Sequence, residues 1–392
     1  MIQPSPAADS GARVLVVDSR LPTPDRDGGS LRLFNILTLL VELGCQVTFV
    51  PRDPASQPET EAPHTPYVNQ LRAAGIQVIT APRIQSLRQH LDERGHEYDV
   101  VLLSGGIYNV SSLIQEVRRL TPQASLWFDT VDLAFVREYR HARLLGSRPA
   151  LQRALYYKQL ELRAAALADW TLVVSQAEAD VLKGAAPAAR VSVLSNVHHI
   201  HGSGAPFEAR AGIVFIGAYQ HRPNLDGLRW FLRDIFPLVR AALPGVRLSV
   251  IGADPPPEAL ALAASDVHIA GHVADLAQVY NACRLSIAPL RFGAGVKGKV
   301  LLSLSYGVPV VGTRLAAEGS HLLDGQNVRL ADAPEDFARA VVEVYTQPRL
   351  WGRLSRAGLE TVAQHFSFSS ARGQLRQLLA ASLPAERAVA AP

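Results

Sequence analysis

The sequence predicts an α/β protein with two doubly wound domains, each built on a parallel sheet, that face each other across a cleft. Three observations lead to this fold class. Short, wholly apolar runs alternate with helical patterns from residue 13 onward. The alternation stops in a polar segment at 195–212 and then begins again. The length of 392 residues also exceeds what one ordinary core holds.

The first half contains seven strand-like runs with helical patterns between most of them. The runs are 14–19, 46–50, 76–80, 99–104, 125–129, 171–175 and 191–195. The first helical pattern covers 30–44. Strands that are apolar on both faces are typical of a parallel sheet covered by helices on each side. We therefore predict a disordered N-terminus at 1–12 and a Rossmann-like domain at 13–194.

The second half repeats the alternation after the polar segment. Its strand-like runs are 213–217, 246–252, 266–271, 284–290 and 309–312, and its helical patterns are 224–243, 334–347 and 350–365. This pattern predicts a second Rossmann-like domain at 213–382, which includes closing C-terminal helices. Segment 195–212 is predicted to be a linker, and 383–392 a loose tail.

Composition indicates an ordinary globular protein with a local anion site. Apolar residues make up 48% and charged residues 19% of the chain, and the net charge is +4. Because no block of five Arg or Lys occurs, a nucleic-acid partner is not expected. Two cysteines and no metal-ligand pattern predict neither a metal nor a cofactor. With no signal peptide and no apolar run of membrane-spanning length, we expect a cytoplasmic location, with peripheral contact at the inner membrane face left open.

The stretch RFGAGVKGKV, which begins at Arg291, is the strongest candidate for an anion site. It follows the strand-like run at 284–290 and precedes an apolar helical run. A strand, a glycine-rich turn and a helix start present free N–H groups and the helix dipole to an anion. Lys297 and Lys299 add full charges, and the stretch itself supplies no carboxylate. The alternative is a solvated basic turn.

Two other loops of the second half lie at predicted strand ends. In FIGAYQHRPNLDGLRWF, which begins at Phe215, Asn224 or Asp226 is predicted to cap the helix. His221 and Arg222 are expected to face whatever lies above the sheet. In HIAGHVADL, which begins at His268, a planar base could lie against His272-Val273, and a short helix opens at Asp275.

The first half offers weaker candidates. Gly28 and Gly29 would let the backbone approach a ligand, and Ser30 is predicted to be an N-cap. A glycine turn without a ligand is an equally good interpretation of this loop. The loop lacks the GxGxxG pattern, which disfavours a dehydrogenase.

Asp129 and Asp132 follow another strand-like run, and Arg137 lies on the next helical pattern. Two aspartates three residues apart could hold a metal, but we favour a loop aspartate and a helix N-cap. The histidines at 198, 199 and 201 are predicted to be a solvated hinge and not ligands.

In their order along the chain, these blocks resemble bacterial retaining glycosyltransferases of family 4, which have the GT-B architecture. The matching blocks are FIGAYQHRPNLDGLRWF, IGADPPPEAL, HIAGHVADL, APLRFGAGVKGKV, SYGVPVV and AAEGS in the second half, and LPTPDRDGGSLR and FDTVDLAFVRE in the first. The resemblance covers roughly residues 13–370.

The resemblance implies a metal-independent enzyme that moves a sugar from a nucleotide diphosphate sugar to a glycan, lipid-linked or metabolite acceptor, as in polysaccharide biosynthesis. By this resemblance Arg291 and Lys297 are catalytic, because they neutralise the departing diphosphate. The implied donor-binding residues are Gly217, His221, Asn224, His272, Val273, Gly295, Val296, Lys299, Glu318 and Gly319. The implied acceptor-side residues are Gly28, Gly29, Arg32, Asp132 and Arg137.

The chain departs from the family pattern at two positions. Leu302 stands where the family typically has a glutamate that holds the ribose hydroxyls, and Ala134 stands where a histidine faces the reacting centre. These departures leave an alternative open, a catalytically degenerate paralogue that serves as partner subunit of an active transferase. A nucleotide-sugar epimerase is disfavoured because the sequence shows no convincing pair of acid and base carboxylates.

Overall fold

Residues 11–383 are described by a computed structural model, in which the chain divides into two units. The first unit comprises residues up to 23, 30–195 and 368 onward, and the second comprises 24–29 and 196–367. Most of the predicted N-terminal segment (1–10) and of the predicted tail (384–392) lies outside the described residues.

The first unit is organised around a seven-stranded parallel sheet. Its strands are β1 (Arg13–Asp18), β2 (Gln46–Pro51), β3 (Gln77–Val78), β4 (Val100–Leu103), β5 (Ser125–Asp129), β6 (Trp170–Val173) and β7 (Val191–Val193). The helices that follow these strands are α1 (Gly28–Glu42), α2 (Thr65–Ala73), α3 (Leu87–Arg94), α4 (Ile107–Leu120), α5 (Ala134–Leu145), α6 (Arg148–Leu167) and α7 (Gln176–Ala185). The strand order is β3-β2-β1-β4-β5-β6-β7. Because the central strands are buried on both faces, they consist of apolar residues.

The second unit is organised around a six-stranded parallel sheet. Its strands are β8 (Ile213–Ile216), β9 (Leu248–Ile251), β10 (Val267–Ala270), β11 (Leu285–Ala288), β12 (Val310–Gly312) and β13 (Arg329–Leu330). Its helices are α8 (Arg222–Trp230), α9 (Phe236–Ala242), α10 (Pro257–Leu260), α11 (Leu276–Ala282), α12 (Gly298–Ser305), α13 (Arg314–Ala317), α14 (Pro334–Thr346) and α15 (Pro348–His365). The strand order is β10-β9-β8-β11-β12-β13.

In both sheets, the strands that follow the first strand of the unit are added first on one side of it and then on the other. In the first sheet β1 lies between β2 and β4, and in the second β8 lies between β9 and β11. This order confirms the predicted pair of doubly wound parallel sheets. From β8 the chain continues to β9 on one side, and from β11 it continues to β12 on the other. Such a switch point is where open α/β sheets bind ligands.

The last helix, α16 (Phe368–Ser382), belongs to the first unit, so the predicted extent of the second domain (213–382) is wrong at this end. The indole N–H of Trp127 in β5 donates to Ser382 Oγ at 3.0 Å, and Arg372 pairs with Glu42. An amphipathic helical pattern shows that one face is buried, but it does not show which sheet covers that face. Residues 24–29, which are the end of the β1–α1 loop and the first two residues of α1, likewise group with the second unit.

The segment predicted to be a linker is largely a packed part of the second unit. The Arg210 guanidinium is buried and donates to the carbonyls of Ala205, Tyr280 and Cys283. The N–H of His198 donates to Phe366 O at 2.8 Å. These bonds join residues 196–212 to α11 and to the end of α15, so the segment is not an extended connection.

The prediction that all three linker histidines are solvated is wrong for His198. Its side chain is buried, and burial lowers its pKa to about 4, so the ring is neutral at pH 7. His201 stacks on Tyr306 with ring centroids 4.0 Å apart. His199 is exposed, as expected. A buried histidine in a polar, glycine-containing segment has no periodic signal that would reveal it.

Candidate functional site

The candidate site lies at the carboxyl ends of β8 and β11, where the order of the second sheet reverses. Gly217 directly follows β8, and Pro289, Leu290 and Arg291 follow β11. The glycine-rich turn then leads into α12, whose N-cap is Lys297. The parallel sheet therefore brings together two sequence blocks that lie about seventy residues apart in the chain.

Lys299, Asn224 and Gly217 are in direct contact at this edge. The Lys299 ammonium donates to Asn224 Oδ1, and Asn224 Nδ2 donates to Ala218 O at 2.8 Å. A Cβ on Gly217 would lie 2.7 Å from Asn224 Nδ2 and 3.0 Å from Lys299 Nζ. Position 217 therefore has room only for glycine while the other two side chains keep their places.

Among the described residues, the hydrogen-bond acceptor of the Lys299 ammonium is an amide oxygen and not a carboxylate. Although part of the side chain is accessible, protein atoms surround the amine, which lies 4.8 Å from the centre of the Phe215 ring. This desolvation, with the nearby charge of Lys297, lowers the pKa of Lys299 to about 7. A bound anion would favour the charged form of this lysine.

Lys297 organises the glycine-rich turn from within. Its side chain is only 9% exposed, and its ammonium donates to Ala294 O at 3.0 Å and to Gly295 O. Gly293 and Gly295 have φ values of 150° and 68°, a region that L-residues with side chains rarely adopt. A solvated basic turn, the alternative drawn from the sequence, does not describe this buried lysine.

Arg291 has a carboxylate partner that the local sequence does not contain. Its Nε donates to Asp226 Oδ2 at 2.9 Å, and its Nη2 donates to the other carboxylate oxygen. Asn224 or Asp226 was expected to cap α8, but that helix begins at Arg222, so both residues lie inside it. Gly227 faces the Pro289 carbonyl too closely for a side chain, and this close packing sets Asp226 beside the turn.

The remaining predicted donor residues lie at the N-cap of α8, in the glycine-rich turn, or in the segments after β10 and α13. His221 is the exposed N-cap residue of α8, and His272 and Val273 follow β10. Val296 accepts at its carbonyl from Asn196 Nδ2 at 3.1 Å. Glu318 and Gly319 follow α13, the short helix after β12. Asp275 caps α11 as predicted, because its carboxylate accepts the N–H of Ala277 at 2.9 Å.

Leu302 lies in an apolar environment. Together with Val273, it packs against a buried cluster. The buried members of this cluster are Val214, Ile251, Tyr280, Cys283 and Val308. Burial raises the pKa of Tyr280 and of Cys283, so neither group is ionised at neutral pH. The surroundings of position 302 therefore suit an aliphatic side chain.

In the first unit, Arg32 is part of a buried ion pair, whereas the sequence placed it on the acceptor side. Its Nη1 donates to Asp129 Oδ2 at 2.7 Å, and its Nη2 donates to Leu194 O at 2.8 Å. Both side chains of the pair are at most 2% exposed. Ser104 Oγ also donates to Asp129, at 3.2 Å. Arg32 therefore joins α1 to the ends of β5 and β7, and it is not available to a ligand.

Asp132 and Arg137 form an ion pair with each other, which corrects the expected helix cap. The N-cap of α5 is Leu133, and two glutamates from other helices satisfy the amides at this helix start. Glu161 accepts the N–H groups of Ala134 and Phe135 at 2.8 and 3.0 Å. Glu178 accepts the N–H of Leu133 at 2.9 Å.

Glu161 is a residue that the sequence reasoning missed. Burial raises its pKa to about 8, against the opposing effect of the two amides. A signal was present, because Glu161 falls in the stripe of small residues that α6 buries, with Ala150, Ala154 and Ala164. A charged residue in such a stripe indicates a buried polar partner.

The predicted glycine turn at Gly28-Gly29 is the first turn of α1 in the structure. Ser30 therefore lies inside the helix, and the expectation that it is the N-cap is wrong. A Cβ on Gly28 would meet no atom within 4 Å, so the space around this glycine is open.

Two kinds of feature are absent from the described part of the chain. Across 11–383, His, Cys, Asp and Glu side chains do not form a group of three or more that could hold a metal ion. Over the same range, no helix is both long enough and apolar enough to cross a membrane.

One family model matches part of the second unit. Residues 210–347 match the family model of glycosyl transferases group 1. A Klebsiella pneumoniae protein described as an uncharacterized 44.6 kDa protein in the cps region is 25% identical over 139 residues. That match covers 33% of this chain and 36% of the relative, so it spans about a third of each protein.

Solved structures with the same fold cover nearly the whole chain. The sucrose-phosphate synthase of Thermosynechococcus elongatus superposes with a TM-score of 0.70 at 17% identity, over 94% of this chain and 100% of its own. HepE of Anabaena, in complex with UDP-glucose, superposes with a TM-score of 0.70 at 13% identity, over 94% of this chain and 99% of its own. A point mutant of S. aureus TarM, in complex with fondaparinux, alpha-GlcNAc-glycerol and UDP, superposes with a TM-score of 0.72 at 9% identity. The match covers 94% of this chain and 99% of its own. The chain therefore has the two-domain, Rossmann-like GT-B fold that the sequence predicts.

We predict that Arg32→Ala destabilises the protein by about 3–5 kcal/mol, because it leaves the Asp129 carboxylate buried without its partner. Urea unfolding measures this change. Arg13→Ala, which removes an exposed pair with Glu97, is the control and should cost less than about 1 kcal/mol. Equal effects of the two substitutions would contradict the role given to the buried pair.

We predict that Gly217→Ala weakens binding of a nucleotide diphosphate at least tenfold, because the new Cβ displaces Asn224 or Lys299. Calorimetric titration with UDP measures the affinity. Gly184→Ala is the control, since a Cβ there meets no atom within 4 Å. Unchanged affinity in Gly217→Ala would show that the contact between these three residues does not shape the site.

Proposed function

We propose that this protein is a retaining glycosyltransferase that takes its sugar from a nucleoside diphosphate donor and needs no metal ion. The observation that carries the proposal is the desolvated Lys299 amine, whose acceptor is the amide oxygen of Asn224. It lies in the first turn of α12, within the region that matches glycosyl transferases group 1. A desolvated cation at a helix N-terminus favours an anionic ligand.

The same groups account for the departure of the nucleoside diphosphate. Negative charge grows on the diphosphate as the bond to the sugar breaks. Lys299, Arg291 and the N–H groups at the start of α12 are fixed in place before the reaction, so they stabilise that charge with little reorganisation. Lys297 supports them by holding the glycine-rich turn. We propose that these cations take the part that a divalent metal plays in other transferases.

The donor and the acceptor are proposed from the comparisons. HepE binds UDP-glucose and TarM binds UDP in the structures that this fold matches, which favours a uridine diphosphate sugar as donor. The Klebsiella relative lies in a cps region, which favours an acceptor in polysaccharide synthesis. We place the acceptor with the first unit and the donor with the second.

The first experiment is a thermal-shift and turnover panel of nucleoside diphosphate sugars, with and without a chelator. Stabilisation by one donor, followed by release of its nucleoside diphosphate with the chelator present, is the expected result. At a hundred times its dissociation constant a ligand stabilises by about 2.7 kcal/mol, which such a scan resolves easily. A strict requirement for a divalent metal would contradict the metal-free mechanism.

One observation favours a second candidate function, a catalytically silent subunit of an active transferase. Leu302 packs into an apolar cluster beside Val273, so this position offers no acceptor to a ribose hydroxyl. A silent subunit could bind a nucleotide through Lys299 and still not transfer sugar. Donor turnover by the purified chain alone separates the two functions.

We predict that nucleotide diphosphate affinity weakens about tenfold per pH unit above pH 7, because the anion requires the ammonium form of Lys299. Lys299→Met should bind at least tenfold more weakly at pH 7, and Lys299→Arg should lose the pH dependence, because arginine stays charged. Titration calorimetry from about pH 7 to 8.5 measures both effects.

The matched control for these lysine variants is Lys183→Met, an exposed position on α7. It should bind the nucleotide like the parent protein. Equal affinity of Lys299→Met and the parent, or a flat pH profile in the parent, would refute the role proposed for Lys299.

We predict that Leu302→Glu lowers the free energy of unfolding by about 1–3 kcal/mol, because the new carboxylate meets the apolar cluster without a hydrogen-bond partner. Leu302→Met, with a similar volume, is the control and should cost less than about 1.5 kcal/mol. Urea unfolding and donor titration are run on both variants. A Leu302→Glu protein that is fully stable and binds its donor more tightly would place position 302 beside a polar ligand instead.

A further inference from the structure

The hairpin of α5 and α6 carries a large share of the exposed apolar surface. Among the described residues, twelve large hydrophobic side chains are exposed, and six of them lie on this hairpin. They are Tyr139, Leu144, Leu145, Leu151, Leu155 and Tyr156. Leu145 and Leu155 are 59% and 54% exposed. A seventh, Tyr108, lies on the adjacent α4, and the other five are on five separate segments.

The charges of the hairpin are almost all positive. Residues 134–167 contain seven basic residues and two acidic ones. The basic residues are Arg137, Arg140, Arg143, Arg148, Arg153, Lys158 and Arg163. Both acids are buried and have partners within the protein. Glu138 pairs with Arg153 at 3.1 Å, and Glu161 accepts an amide N–H at the start of α5. Of the basic residues, Arg143, Arg148, Arg153 and Arg163 are exposed, so the exposed face is basic and apolar at once.

The tip of the hairpin is a fixed support for these side chains. Gly146 ends α5 in the left-handed conformation, with φ 61°, and Ser147 caps α6 by accepting the N–H of Ala150 at 3.3 Å. Leu144 and Leu145 directly precede this turn, and Arg148 directly follows it. Most of the side chains that the two helices bury are alanines, and the leucines near the tip are exposed.

Tyrosines lie beside the leucines. The rings of Tyr108 and Tyr157 meet edge to face with centroids 5.3 Å apart, and Tyr156 lies 6.5 Å from Tyr108. A tyrosine has an apolar ring and a polar hydroxyl, and it is enriched where lipid chains meet water.

We infer that the α5–α6 hairpin docks on the surface of an anionic phospholipid membrane. Leucines would enter the boundary between headgroups and acyl chains, tyrosines would lie at the level of the headgroups, and arginines would bind lipid phosphates. A basic apolar helix face of this kind is typical of proteins that lie on a membrane without crossing it. The inference stands whether or not the proposed transfer reaction is correct.

Charge argues against a second copy of the chain as the occupant. A two-fold symmetric dimer would place this basic surface against itself, and like charges at close range oppose such a contact. The membrane has the opposite charge, and it adapts to side chains that protrude separately.

The test is co-sedimentation of the full chain with vesicles. One set contains phosphatidylcholine alone and the other phosphatidylcholine mixed with phosphatidylglycerol, each at low and high salt. The parent protein should bind the anionic vesicles at low salt, and added salt should weaken this binding. The double variant Arg143→Gln, Arg148→Gln should bind about 30-fold more weakly, since each arginine contributes about a factor of five. The double variant Leu145→Ser, Leu155→Ser should bind these vesicles about tenfold more weakly for each leucine that is replaced.

Matched controls come from exposed positions elsewhere. Arg349→Gln with Arg353→Gln removes two exposed arginines of α15, and Leu260→Ser removes an exposed leucine of α10. Both controls should bind vesicles like the parent. Because all the replaced side chains are exposed, the melting temperatures should stay close to that of the parent.

Three results would overturn the inference. The first is no binding of the parent to anionic vesicles, and the second is equal binding to neutral ones. The third is a change of oligomeric state in the hairpin variants, measured by light scattering, with vesicle binding unaltered. That third result would assign the hairpin to a contact between protein chains.

Discussion

The cost of placing a cation among protein atoms shapes both units of this protein. In the first unit Arg32 is buried with a carboxylate, Asp129, so its charge is neutralised within the fold. In the second unit Arg210 is buried against carbonyl oxygens, which stabilise but do not neutralise it. The charge of Lys299 has weaker compensation still, because its neighbours are one amide oxygen and one aromatic ring. Its pKa falls to about 7. Of these three cations, Lys299 is the one whose charge a ligand anion would stabilise most.

The architecture explains why this cation lies at a sheet edge and not in a core. The carboxyl ends of β8 and β11 are neighbours, so the loop after β8 and the start of α12 must meet there. Two close contacts fix how they meet. Gly227 lets α8 lie against the Pro289 carbonyl, and Gly217 leaves room for Asn224 and Lys299. Each contact excludes a side chain, so the position of the cation depends on these two glycines.

The sequence predicted the strands well and the partners of its charged residues poorly. A strand such as β5 is apolar on both faces because it is buried on both, and that pattern is local to the strand. The partner of Arg291 is Asp226, sixty-five residues earlier in the chain, so no local pattern could reveal it. For the same reason Arg32 was expected to meet a ligand, although it pairs with Asp129. Which of the two units α16 belongs to, and the burial of His198, also depend on tertiary contacts that a single sequence does not record.

The two departures from the family pattern lie in surroundings that fit them. At position 302 the leucine side chain is half-buried and packs against an apolar cluster. At position 134 the amide of the alanine is bound by Glu161, and the helix start is satisfied without any side chain from that residue. The start of α5 is satisfied with an alanine at 134, and the leucine at 302 has apolar neighbours, so both departures fit the packing of this protein. A ribose, if bound, must therefore find its hydrogen bonds at groups other than residue 302, while the cations around Lys299 can still hold the diphosphate.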